Sequence, residues 1–146
     1  MSITAEAAIS ATAISAAGLV PTAERLDHLA RHRSDEAAWF AGVEAGLLDF
    51  HAVLADHTRS IVEDDLYHDA VWRAPRIIIQ VRRLGAECSK LDELTALSLA
   101  SLHAPGRSAT TVVEAFDQIL CLTTRHESRA LAIDYEAYCV DLGGQG

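Results

Sequence analysis

Apolar side chains recur at three- and four-residue steps along most of this chain, the period that gathers them on one face of an α-helix. From Phe40 the steps fall on Val43, Leu47, Phe50, Leu54, His57, Ile61, Asp64, His68 and Val71. A second series keeps the same spacing through Val112, Phe116, Ile119, Thr123, His126, Ala130, Ile133, Ala137 and Val140. Both stripes turn polar part-way, so His57, Asp64, His68 and His126 are predicted on faces that are otherwise apolar. A neutral polar group buried without a partner costs roughly 2–7 kcal/mol, and a charge costs more. These residues must therefore pair, hold an ion or face water. A solvated acidic helix end is the plain reading for residues 63–69, and a hydrogen-bonded core histidine is the plain reading for His126.

The punctuation between stripes divides the chain into helices. Residues 4–17 are Ala-rich with β-branched Ile and Thr, which predicts a marginal helix or an arm that needs a partner surface, ended by Gly18 and Pro21. Thr22 is placed to cap a short helix through Arg31 whose apolar face is Leu26, Leu29 and Ala30. His28 and His32 stand one turn apart on it, a spacing open to metal binding, although their setting among Arg25, Arg31 and Arg33 favours solvent. Ser34, Asp35 and Glu36 open the next helix, and with no proline before Pro75 the span 35–73 reads as one long helix, weakened by Gly42 and Gly46. After Pro75, the run Ile77, Ile78, Ile79, Val81 and Leu84 has strand-like composition. Its continuation into Leu91, Leu94, Leu97 and Leu102 fits a helix better, with Ser89 as a candidate break. Pro105-Gly106 is a loop, Thr111 to Glu114 matches a capping box, and the Gly-Gly-Gln-Gly end stops the last helix. The prediction is an all-α, single-domain helical bundle of five or six helices: an arm or helix over 1–20, the bundle over 21–142 and a tail over 143–146.

Composition narrows the partners. A chain of 146 residues is one domain by length and can bury a core without cross-links. Half of it is hydrophobic but only 5% is aromatic, a mixture dominated by Ala and Leu that favours helix over strand. The formal charge of −9 argues against nucleic acid and anionic membrane as partners, since both reward clustered Lys and Arg. Cys88, Cys121 and Cys139 lack Cys-x-x-Cys spacing, which fits buried thiols in a reducing, cytoplasmic setting and gives no zinc knuckle. The N-terminus has no basic leader region, and no uninterrupted apolar run reaches membrane-spanning length.

Bundles build metal sites by projecting His and carboxylate groups inward from facing helices, and imidazole with carboxylate suits Zn, Fe or Mn better than a thiolate-seeking metal. The stretch Tyr67-His68-Asp69-Ala70-Val71-Trp72 resembles the His-Asp doublet of the HD-domain metal-dependent phosphohydrolases. Glu87-Cys88-Ser89, Thr123-Thr124-Arg125-His126 and Asp141-Leu142 resemble later stretches of one branch, in the same order. The upstream Tyr-His motif and the Asn of the middle stretch are absent. The resemblance implies an all-helical fold in which His68, Asp69, Asp141 and an earlier histidine, His32 or His57, hold a divalent ion (Mn, Fe, Zn or Mg). Asp69 and His126 would then be the catalytic pair, acting on a small phosphorylated substrate.

Two other families share local features. His57 to Asp69 is similar to the first aspartate-rich motif of polyprenyl diphosphate synthases, and His57, Glu63, Tyr67, His126 and Tyr135 invite comparison with hemerythrin-like bundles. There is no serine-nucleophile elbow and no Gly-rich phosphate loop. The non-catalytic alternative is an acidic helical module that packs against itself or another protein through its Ala-rich N-terminal segment.

Overall fold

The computed structural model describes residues 18–140, and every regular element in that range is helical. Helix α1 covers 18–31, α2 Glu36–Val62, α3 His68–Arg73, α4 Ile78–Leu102 and α5 Ala109–Tyr135. A 3-10 turn at Pro75–Ile77 leads into α4, and a π-helical turn at Glu136–Val140 follows α5. This is the all-α bundle that the periodicity predicts. Most of the proposed arm and the whole tail, 143–146, lie outside the described residues.

The long helices form because their apolar stripes close on one another. Helix α4 packs against both α2 and α5. Helix α1 lies against α2 at Gly46 and reaches α5 through the Arg31–Asp117 ion pair. Asp35, rather than Ser34, caps α2 by accepting from the Ala38 N–H at 3.3 Å. Ser108 caps α5 by accepting from the Thr111 N–H at 3.1 Å, so the helix opens three residues before the predicted capping box. Helix α1 already runs at residue 18, Pro21 falls within it, and the Thr22 hydroxyl bonds back to the Gly18 carbonyl instead of capping.

The predicted helix over 35–73 is broken. Helix α2 ends at Val62, and the chain turns through Asp65, whose φ of 49° is left-handed. Asp is among the few non-glycine residues that tolerate that conformation. The break carries α3 across the end of α5, where Tyr138 donates to Asp69 at 2.8 Å and Arg76 pairs with Glu136 at 3.2 Å. Helix α4, by contrast, runs unbroken past Ser89.

Two apolar clusters fill the bundle. One joins Leu26, Phe40, Leu47, Phe50, Leu91, Phe116 and Ile119, while the other joins Ile61, Tyr67, Ile77, Leu84, Cys88, Ile133 and Ala137. Among the described residues α2 alone is long and apolar enough to cross a membrane by composition. Its apolar stripe from Phe40 to Ile61 is buried in the bundle core.

Gly42 and Gly46 prove to have different surroundings. A Cβ at Gly42 would meet nothing within 4 Å, whereas one at Gly46 would stand 2.8 Å from Leu29 Cδ1 and 3.1 Å from Leu26 Cδ2. Leu26 is fully buried and has little room to yield. Gly42→Ala is expected to stabilise the fold by about 0.5–1 kcal/mol through helix propensity. Gly46→Val is expected to destabilise it by about 1–3 kcal/mol through overpacking. Urea melts of the two variants check the pair, and equal shifts would mean that α1 does not lie close over Gly46.

Candidate metal centre

A polar layer sits between the two apolar clusters. On α2 it falls at His57, between Leu54 and Ile61; on α5 it falls at Thr123 and His126, between Ile119 and Ala130. Helix α4 contributes Cys88 one turn from Leu84 on one side and Leu91 on the other. Each helix places its polar residue at an ordinary stripe position, so all three side chains point inward together. His57 is 5% exposed, His126 1% and Cys88 0%. Buried to that degree, polar atoms need partners.

Their contacts form a connected set. His57 Nε2 and His126 Nε2 are 2.9 Å apart, with the rings meeting edge-on at 79°. Cys88 Sγ lies 3.8 Å from the same His126 nitrogen. The other ring nitrogen of His126, Nδ1, donates to Glu87 Oε1 at 3.2 Å, and Arg129 Nε donates to Glu87 Oε2 at 3.1 Å. A carboxylate on Nδ1 fixes the tautomer of His126 and leaves a lone pair on Nε2, aimed at His57 and Cys88. Without an ion, His57 Nε2–H and the Cys88 thiol are the donors facing that lone pair.

Burial sets the protonation states. Desolvation, followed by repulsion from His126, lowers His57 from its ordinary 6.5 to about 4. Desolvation also lowers His126, against an opposing pull from Glu87, and raises the Cys88 thiol above its usual range. The resting cluster is thus two neutral imidazoles and a protonated thiol. In the metal-free chain the His57 effect makes stability depend on pH. The unfolded histidine takes its proton near 6.5 and the folded one only near 4, so the contribution is complete above about 6.5 and is lost as pH falls toward 4. At about 1.4 kcal/mol per pH unit the loss is on the order of 3 kcal/mol. Urea melts in EDTA across that window check it, and His57→Gln is expected to flatten the slope by one proton.

The interatomic distances suit an ion. The donor atoms of His57, Cys88 and His126 all lie within 4.8 Å of one another, and among the described residues no fourth His, Cys, Asp or Glu joins the group. Zinc bonds of about 2.0–2.1 Å to nitrogen and 2.3 Å to sulfur put tetrahedral donors roughly 3.3 Å apart for two nitrogens and roughly 3.5 Å apart for nitrogen and sulfur. The two separations at His126, 2.9 and 3.8 Å, differ from these by a few tenths. The third edge, between His57 and Cys88, lies within the same 4.8 Å.

Of the residues singled out in the sequence, His57 and His126 meet. His68 and Asp69 do not join them. With α2 ended at Val62, the seam no longer continues to His68, whose side chain is 76% exposed and pairs with Asp65 at 3.1 Å. Asp69 is 65% exposed and engages Arg73 and Tyr138, whose hydrogen bond holds its carboxyl below the usual range. Asp141 lies outside the described residues. His32 is exposed and stacks on His28 with ring centres 3.8 Å apart, away from the buried layer. Cys121 and Cys139 are exposed, so only Cys88 is the buried thiol expected of all three. Cys88 is the member that lies outside the predicted stripes. Steps of four and three from Leu84 reach Cys88, Leu91, Thr95, Ser98 and Leu102, the buried face of α4, whereas the more apolar Leu97 is 61% exposed.

No protein-family model, no curated protein and no solved structure matches the chain.

Proposed function

We propose that this protein is a metal-binding helical bundle that holds a late first-row divalent ion, zinc or a chemical equivalent, between His57, Cys88 and His126. The observation that carries the reading is the convergence of two imidazoles and one thiol from three separate helices inside a 4.8 Å group. Two nitrogens and a sulfur form a borderline-soft donor set, which favours zinc, cobalt or copper over magnesium or calcium. The Glu87–His126 hydrogen bond supports it, because metal-bound imidazoles regularly donate their second N–H to a carboxylate that orients the ring. On binding, His57 adopts the tautomer protonated at Nδ1 and Cys88 gives up its thiol proton, so apparent affinity rises with pH.

The phosphoester-hydrolase reading needs His68 and Asp69 beside the ion, and gains no support from two exposed side chains on α3 engaged with Asp65, Arg73 and Tyr138. Metal binding stands without it.

Cobalt titration of the metal-free protein tests the proposal. One equivalent of Co²⁺ is expected to give a thiolate-to-cobalt band in the near ultraviolet, absent in Cys88→Ser and displaced by Zn²⁺. Glu87→Gln, which keeps the shape of the side chain but weakens its hold on His126, is expected to lower affinity by about 10–100-fold. A wild-type chain that takes up no cobalt, or one whose uptake is the same in Cys88→Ser and His57→Gln, would sink the reading.

A further inference from the structure

A cavity of about 40 Å³ lies against the buried cluster. Its wall includes both imidazoles, His57 and His126, but not Cys88, which approaches from α4. The rest of the wall comes from Leu19 and Val20 of α1, Leu66 and Tyr67 of the turn after α2, and Thr123, Glu127, Ala130, Leu131 and Asp134 of α5. From this we infer that the ion, bound as proposed above, keeps a fourth position open on the cavity side and takes a solvent water there.

Three features select that ligand. The first is ligand number: three donors converge and, among the described residues, no fourth joins them, whereas a purely structural zinc is almost always closed by four. The second is size. A buried water needs roughly 10–15 Å³, and a drug-sized molecule needs roughly 300–1,000 Å³. At about 40 Å³ the space admits a water and excludes most organic ligands. The third is charge. Glu127 and Asp134 are among the lining residues and no Lys or Arg is, so a small neutral ligand suits the space better than an anion. Water satisfies all three, with its oxygen on the ion.

An open position separates an ion that can act on a small molecule from one that only braces the fold. The inference rests on the metal-binding proposal, and one sample separates the two. Co²⁺-loaded protein in ¹⁷O-enriched water is examined by electron–nuclear double resonance, while the thiolate-to-cobalt band reports whether the ion is in place. The expected result is an ¹⁷O coupling in the wild type that is lost in Ala130→Leu, which fills the cavity, with the band retained. Ala130→Val is the milder filler if the larger side chain prevents folding, and its coupling is expected to weaken in step with the lost space. The band without an ¹⁷O coupling would overturn the open position and leave the metal site standing. A coupling that persists in both fillers would also overturn it, because the water would then arrive by another route. Absence of the band would remove both proposals.

Discussion

Zinc at about a hundred times its dissociation constant is expected to stabilise the folded chain by about 2.7 kcal/mol if it binds as proposed, because the donors are assembled only in the native state. For a chain of 146 residues that corresponds to a rise in Tm of roughly 5–10 °C, reversed by EDTA. Cys88→Ser is expected to abolish the rise while leaving the metal-free melt near that of the wild type, since serine is close in size to cysteine and keeps a donor facing His126. His57→Gln is expected to abolish it too. The measurement is a thermal melt of metal-stripped protein with and without zinc. A wild-type Tm that does not move would mean that the two imidazoles form a hydrogen-bonded polar layer and nothing more.

Truncating Phe116 is expected to be strongly destabilising. Phe116 is 1% exposed and Phe50 0%, and both belong to the cluster that ties α1, α2, α4 and α5 together. Phe116→Ala removes the ring and leaves a cavity that the surrounding helices close only in part, costing about 3–5 kcal/mol. That is a large fraction of the roughly 5–15 kcal/mol by which domains are stable. Urea unfolding gives the value through the midpoint at unchanged slope. A cost below about 1 kcal/mol would show that the rings are not packed as described.

The helical fold was legible because the same three-and-four spacing that marks a stripe also dictates burial. Every stripe residue of α5 from Val112 to Ile133 is buried, and so is that of α2 from Phe40 to Ile61. The stripe of α2 fails after Ile61 for a local reason. No proline or glycine marks the stop at Val62; it depends on Asp65 entering a left-handed conformation and on α3 docking over Tyr138, a contact made by residues far apart in sequence. Extending the period through that break placed His68 on the same seam as His57, when it faces water. The missing thiol has a different cause. The buried face of α4 includes Cys88, Thr95 and Ser98 while Leu97 and Ile79 are exposed, so ranking positions by hydrophobicity alone picks the wrong face. Thr95 and Ser98 are comfortable there because each hydroxyl bonds to the carbonyl four residues earlier on its own helix.

His57 and His126 stand 69 residues apart in the chain, and Cys88 is 38 residues from His126. A growing polypeptide that has not yet reached α5 therefore carries at most two of the three donors. Capture of an ion at the proposed site would wait for the last long helix to fold back, because only then are all three donors together. Loading in the cell would be timed by translation.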